Sequence, residues 1–470
     1  MTSGARMTDV DVLVVGAGGA GLVAAIAAHE AGATVAVIER RQLVQGNTAL
    51  SSGSIPGAGT RFQRACGIED DPARFAADLR RVGGPHEADH LVDRLALVSA
   101  ELIEWLVDVA GVELTLVETY RHVGHSVNRL HAPPSRRGVD LLRDLERAIE
   151  ARGVTIALGN RCESLVVEPD GRVAGARIAS GDGIAETVRA GAVILATNGF
   201  GADRELLRTH IPEAAGLAYA GAPGSLGDAA RWGRKLGARM ANMNAYQGHA
   251  SIADPHGSLV TWTVIEKGGA VVGTDGQRFA DETMGYSAFA AEEAVRGGRF
   301  FAIYDTRIRD ATAAGQSEFA ELVRIGGCIT AETLGELGRR VGIDGETLAR
   351  TVEAMAAAAT DGASDEFGRT GWGLGPLRAP YVATAIRPAL FHTQGGLLVD
   401  DSARVTREQG GVVPGLWAAG GAAAGISGSS GSKGYVSGNG LLGALGLGLI
   451  AGRSAATVAG SSAPLLERSA

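Results

Sequence analysis

The sequence predicts an α/β fold organised on a Rossmann-like dinucleotide-binding unit, and three observations point there. A short β-branched strand, VDVLVV, runs directly into GAGGAG and then into an alanine-rich helical segment, LVAAIAAHEAG. A second strand, ATVAVIE, follows and ends in Glu39. The length of 470 residues exceeds one ordinary core, so the chain holds two domains or one large nucleotide-binding domain carrying an insertion.

Each part of that first unit has a physical reason. Gly16, Gly18 and Gly21 satisfy GxGxxG. The first glycine permits the turn, the second admits a pyrophosphate and the third lets helix pack on strand. Gly19 and Ala20 complete the turn, and the helix N-terminus beyond it favours negative charge. Glu39 stands where an acidic residue receives a pair of ribose hydroxyls, with Arg40 beside it.

Composition narrows the function. A net charge of −8 without a basic tail disfavours nucleic acid as a partner. The start, MTSGARMTDVDVLVVG, reads as a strand entering a glycine motif rather than a signal-peptide core, so a cytoplasmic location is expected. Cys66, Cys162 and Cys328 lie far apart with no CxxC, which disfavours zinc and iron–sulfur ligation and suggests buried filler in a reducing compartment; no metal site is expected. The most apolar run, LLGALGLGLIAG, is short and glycine-broken, so no transmembrane segment is expected.

Further along, ARFAADLRRVGG, EADHLVDRLALVSAELIEWLVDVAG and GVDLLRDLERAIEARG have helical periodicity. RCESLVVEPDGRVAGARIAS reads as a hairpin with an Asp-Gly turn. The middle of the chain mixes strands near VTWTVI and AVVGTDGQRFADE with a helix at DGETLARTVEAMAAAATD. SSGSIPGAGT and GISGSSGSKG have linker composition, but each flanks a motif where a backbone must approach a ligand closely.

Taken together, GNTALSSG (46–53), ATNG (196–199), HTQGG (392–396), AAGG (418–421) and SGNGLL (437–442) resemble the flavoprotein family of fumarate reductases, succinate dehydrogenases and ketosteroid dehydrogenases. The resemblance spans nearly the whole chain. It implies a discontinuous glutathione-reductase-type, Rossmann-like FAD-binding domain from 1–239 and 378–470, with an inserted α+β capping domain at 240–377. It also implies that FAD lies between the first loop and the C-terminal turn. The first loop would contribute Asn47, Thr48, Ser51, Ser52, Gly53 and Ser54. The strand ends would contribute Thr197, Asn198 and Gly199, then Ala419, Gly420 and Gly421. The last turn would add Gly438, Asn439, Gly440, Leu441 and Leu442. Two departures matter. Asn47 and Thr48 stand where membrane-bound relatives carry the histidine that bonds to the flavin, so non-covalent FAD is expected; and Gly421 replaces a glutamate that often holds the ribityl chain.

Fumarate reductases hold a dicarboxylate with the arginine of RLGGNA and donate a proton from an arginine shortly after RFVNE. Aligned on YVSGNG and RFADE (278–282), these positions carry Tyr435 and Tyr286. A tyrosine pair is the pattern of the ketosteroid dehydrogenases, and the Tyr-x-Ser form, Tyr435 with Ser437, is most similar to the branch acting at the 4,5 bond. A phenol donates one neutral hydrogen bond and suits a ketone better than a carboxylate. The expected reaction is therefore α,β-desaturation of a cyclic ketone, either a 3-ketosteroid or a small 4-oxocyclohexanecarboxylate-like ring, with an external electron acceptor. Tyr286 would be the base. Tyr435, helped by amides around Gly438–Gly440, would polarise the carbonyl oxygen, with Ser437 supporting either phenol. Tyr120 matches an assisting tyrosine of the ketosteroid enzymes, and His392 matches a substrate-binding histidine of the fumarate reductases, as His249 does less closely. The reverse reaction on an enone or enoate, and a flavoprotein electron-transfer subunit, remain as alternatives.

Overall fold

The computed structural model describes residues 9–118, 121–181, 183 and 185–462. Its first sheet runs, edge to edge, through Arg404–Thr406, Val412–Ala418, Ala185–Leu195, Val10–Val15, Val35–Glu39 and Thr155–Leu158. All neighbours except the Arg404–Thr406 edge are parallel, with Val14 opposite Val37 on one side and Ile194 on the other. Strands buried on both faces require continuous apolar runs, which is why VDVLVV and AVIL read so clearly in sequence. The expected hairpin forms as Arg161–Val167 against Val173–Ala179 and continues onto Ala185–Leu195.

The helix Gly19–Glu30 lies on this sheet beneath the last helix, Leu447–Ser462. Their backbones touch closely: a Cβ on Gly448 would lie 2.6 Å from the Ala20 carbonyl oxygen, and one on Gly452 would lie 2.2 Å from that of Ala24. The glycines that made LLGALGLGLIAG look broken are thus a packing surface. The helical stretch Asn439–Gly460, which includes a π-helical turn at Leu442–Gly446, is long and apolar enough to cross a membrane, yet much of it is buried against this core.

The second sheet contains Ala270–Gly273, Phe300–Asp305, Tyr381–Thr393 and Asn244–Ala253, paired antiparallel in that order. Its own core runs from Ala250 to Ile386, so Tyr381–Thr393 belongs to this layer although it lies beyond the 377/378 division read from sequence. VTWTVI is not a strand: Thr263–Glu266 forms a short helix. Its β-branched residues are buried by the cap core, and burial outweighs their weak strand propensity. The expected helices appear at Pro72–Gly83, His90–Asp108, Gly138–Ala151 and Gly345–Asp361. The three cysteines are unbridged; Cys162 is buried, but Cys66 is exposed and so is not filler.

Candidate active site

One cavity extends from the C-terminal ends of the parallel strands, at Glu39, to His392 on the second sheet and Tyr286 beside it. This is where open α/β sheets place their ligands. At the first end the glycine turn is shaped by hard contacts. Gly16 sits at φ +110° with a Cβ position only 2.4 Å from the Ala196 carbonyl oxygen, and a Cβ on Gly21 would lie 1.8 Å from that of Gly16. Gly18 differs: its Cβ would meet only the Gln45 carbonyl oxygen at 3.7 Å. Protein atoms do not explain that glycine, whereas a pyrophosphate at the helix N-terminus does.

The Glu39 carboxylate accepts the Ala17 and Arg41 amides, each at 2.9 Å, which fixes it at the cavity edge. Arg40 is held by an ion pair with Asp228. Asn47 Oδ1 accepts the Ala222 N–H at 2.7 Å, tying the GNTALSSG loop to the segment after Tyr219. Asn198 stands at φ +65° and donates to Ser225 Oγ at 2.8 Å. Thr197 Oγ1 and Asn439 Oδ1 are buried without hydrogen-bond partners, and both residues line the cavity. Orphaned polar atoms at a ligand's expected edge, together with the open Gly18, fit FAD at this position.

At the other end, Tyr286, Tyr435 and Ser437 come together. The Tyr286 hydroxyl lies 3.4 Å from Ser437 Oγ, and the two tyrosine rings are 6.0 Å apart at 59°. Tyr286 is the first residue of the helix Tyr286–Arg296, entered through Gly285 at φ +92°. The RFADE segment before it is anchored by a bidentate pair, Arg278 Nε and Nη2 to Glu282 at 2.8 and 2.6 Å. Arg369 also donates to Glu282, at 3.2 Å. The ring of Tyr286 stacks on His249 at 4.7 Å, and His249 stacks in turn on Phe391 at 5.0 Å. A bulge at Gln247/Gly248 in Asn244–Ala253 sets this register.

The Gly440 N–H donates to the Tyr435 hydroxyl oxygen at 3.2 Å, and the Asn439 N–H to the Val436 carbonyl at 3.1 Å. The Asn439 and Gly440 amides are thus engaged by the turn and Tyr435, which takes two of the three donors from the oxyanion hole expected around Gly438–Gly440. Burial pushes the Tyr435 phenol up to about 12, which keeps its proton available for donation. Burial lowers His392 to about 4 and His249 to about 3, so both are neutral imidazoles. The Ser251 N–H donates to His249 Nδ1 at 3.1 Å, which leaves the His249 proton on Nε2.

Most residues singled out in sequence line this cavity: Gly16, Gly18, Gly19 and Ala20; Glu39 and Arg40; Asn47, Thr48, Ser51, Ser52 and Ser54; Thr197 and Asn198; Gly420 and Gly421; Tyr435 and Ser437 through Leu441; and Tyr286 and His392. Gly21, Gly53, Gly199, Ala419 and Leu442 do not line it. A Cβ on Gly199 would lie 2.2 Å from Thr393 Oγ1, and Leu442 is wholly in the core. Tyr120 lies outside the described residues. Sequence reading missed Arg136, His122, Glu266, Thr261, Thr263 and Gln316, which also line the cavity. No motif marks them. Arg136 does adopt φ +56°, a conformation that invites a functional reading once seen.

Comparison with known proteins agrees with this geometry. The family model described as an FAD binding domain matches residues 11–440. A fumarate reductase (cytochrome) of Shewanella frigidimarina is 31% identical over 450 residues, covering 95% of this chain and 77% of that protein. The solved open conformation of a flavocytochrome c3 fumarate reductase superposes with a TM-score of 0.79 at 27% identity, over 97% of this chain and 79% of that one. A 3-ketosteroid Δ4-(5α)-dehydrogenase from Rhodococcus jostii, solved with 4-androstene-3,17-dione, gives 0.76 at 27% identity, over 97% and 98%. Fold and site define an FAD-dependent oxidoreductase acting on carbon–carbon bonds. The chain belongs to the FAD-binding-domain flavoprotein family that includes the fumarate reductases.

Proposed function

We propose that this enzyme introduces a double bond α,β to the carbonyl of a cyclic ketone. The observation that carries the reading is the placement of two phenols, Tyr286 and Tyr435, side by side in the cavity with Ser437 Oγ at the Tyr286 hydroxyl. Tyr435 donates its O–H to the ketone oxygen and stabilises the charge that develops there. Tyr286, once its own phenolic proton has been relayed away through Ser437 Oγ, takes the α-proton as phenolate. Bound FAD supplies the acceptor for the hydride that leaves the β-carbon, and an external acceptor removes the electrons. The helix Thr263–Glu266 and Gln316 line the cavity from the cap layer, on the side where a bound ring would be shielded from water. Thr261, Thr263, Gln316, Glu266 and Arg136 add polar side chains to the cavity, which supports a small functionalised ring over a bare steroid skeleton. Asn47 and Thr48 leave the first loop without a histidine, so the FAD is held non-covalently; acid precipitation should release all the flavin into the supernatant.

Anaerobic addition of saturated cyclic ketones, including 4-oxocyclohexanecarboxylate and 3-ketosteroids, to the yellow protein tests this reading. Bleaching of the visible flavin band by one of them is the expected result. The second reading is the reverse reaction, with Tyr286 as proton donor to an enone or enoate; the 31% identity to a fumarate reductase favours it. Ketones would then leave the flavin oxidised, while chemically reduced enzyme would be reoxidised by the unsaturated compound. An electron-transfer subunit would respond to neither.

A further inference from the structure

We propose that His125 is a positioning residue for the reaction, holding Ser437 against the Tyr286 hydroxyl at the end of a buried hydrogen-bonded chain that begins at Asp70 and Asp78. The proposal rests on the reading of Tyr286 and Ser437 given above. Ser437 is clamped through its backbone from both sides. His125 Nε2 donates to the Ser437 carbonyl oxygen at 2.7 Å, and the Ser437 N–H donates to the Val123 carbonyl at 3.2 Å. Gly124, between the two clamping residues, sits at φ +89°, and a Cβ there would lie 2.9 Å from Val436 Cγ1. The loop can approach the tyrosine–serine turn this closely only because that side chain is absent.

The tautomer of His125 follows from its other contact. Arg129 Nη1 lies 3.1 Å from His125 Nδ1. A guanidinium only donates, so Nδ1 accepts and the ring proton stands on Nε2, facing Ser437. Burial, reinforced by the Arg129 charge, lowers the imidazole to about 4, so it is neutral at working pH. Arg129 cannot rotate away. Asp70 takes its Nε and Nη2 at 2.9 and 2.8 Å, Asp78 takes Nη1 at 2.7 Å, and the Phe75 ring lies 4.6 Å from its guanidinium carbon. Asp78 also accepts the Ser126 N–H at 2.7 Å, so the same carboxylate ties the loop carrying His125.

Burying a guanidinium with two carboxylates contributes little net stability, whereas removing one member leaves uncompensated charge. What the arrangement supplies is position. The contact from Tyr286 to Ser437 Oγ, at 3.4 Å, is at the outer edge of hydrogen bonding, and a shift of the turn by about 1 Å costs on the order of 100-fold in rate. His125 has its hydrogen bond on the Ser437 carbonyl and not on a phenol, so it acts through the position of Ser437.

The test uses flavin-loaded full-length protein and the ketone that bleaches the parent, or the unsaturated compound that reoxidises it. His125→Leu should retain flavin and lower kcat about 100-fold with KM nearly unchanged. His125→Gln, whose amide can still donate to the Ser437 carbonyl, should recover most of that loss. In a Ser437→Ala background the leucine substitution should cost little more, because the two act on one contact. If His125→Leu fails to hold flavin, His125→Asn, polar but too short to reach, takes its place. Parent-like kcat in the leucine or asparagine variant overturns the proposal, as do additive losses in the double variant or failure of glutamine to rescue. A parent silent towards all compounds in both directions overturns the reading of Tyr286 itself, and this role with it.

Discussion

The Tyr435 hydroxyl accepts the backbone N–H of Gly440 at 3.2 Å, five residues further on at the start of the helical stretch Asn439–Gly460. That bond uses a lone pair of the phenol and leaves its O–H to point elsewhere. A Cβ on Gly440 would lie 3.0 Å from His392 Nε2 and 3.2 Å from the phenol oxygen, so the absence of a side chain keeps this corner open. With the phenol pushed up to about 12, Tyr435 remains a donor throughout the pH range of an ordinary assay. Tyr435→Phe should therefore retain flavin and lower kcat/KM by roughly 100-fold, as loss of one oxyanion donor does. Rates of anaerobic bleaching by the substrate ketone measure it, and a parent-like rate would remove Tyr435 from the mechanism.

Tyr286→Phe keeps the stack on His249 but removes the proton carrier. Turnover should fall by about 100-fold or more with the flavin spectrum unchanged. Normal turnover would exclude Tyr286 as acid or base.

Gly16 and Gly18 should respond differently to alanine. Gly16→Ala places a methyl 2.4 Å from a backbone oxygen at a positive φ and should impair folding. Gly18→Ala meets no protein obstacle and should give a folded chain that has lost its flavin. Circular dichroism and flavin content of the two purified variants decide this; flavin retained by Gly18→Ala would mean the pyrophosphate lies elsewhere.

Glu266 carries a pH dependence. Burial raises its carboxyl to about 7, against an ordinary value of 4.5, with Lys267 and Arg136 opposing the shift. Between those values the unfolded chain has released a proton that the folded chain retains, so stability falls as pH rises from about 4.5 to about 7. The loss reaches at most about 3 kcal/mol and is complete above the folded value. Denaturant unfolding of the parent and of Glu266→Gln at pH 4.5 and pH 8 should show the parent losing more than the variant. Equal losses would show that Glu266 is not buried as a neutral acid.

Glu282 accepts from Arg278, from Arg369 and from the Val271 N–H at 3.1 Å. Glu282→Ala leaves two buried guanidiniums without their shared carboxylate and should cost about 3–5 kcal/mol of unfolding free energy. A loss below about 1 kcal/mol would mean the network relaxes around the gap.

The cofactor end was readable from sequence because its requirements are local. Gly16, Gly18 and Gly21 fall within six residues, and the strand before and the acid after them follow at fixed spacing. The end of the cavity at Tyr286 and Tyr435 was readable only in part. Tyr286 and Tyr435 stood out through their positions in motifs resembling a known family, but Arg136, Glu266 and Thr263 lie in stretches with no periodicity or punctuation that marks a site. VTWTVI was misread for the opposite reason: its β-branched residues signal a strand wherever packing does not intervene, and here the cap core buries them in a helical turn.

By itself the sequence determined the α/β layer and the dinucleotide turn, because short-range spacing and side-chain chemistry suffice for these, whereas the pair of phenols was picked out only through resemblance to a known family. Only the tertiary structure decided that the Gly440 amide serves Tyr435 rather than a substrate oxygen, and that His125 reaches Ser437 across 312 residues. It also decided that the glycines of the last helix are a packing face against Ala20 and Ala24. Such relations depend on which backbones meet in three dimensions. Contacts between distant segments are selected by burial and hydrogen-bond satisfaction over the whole fold, and no window of sequence contains them.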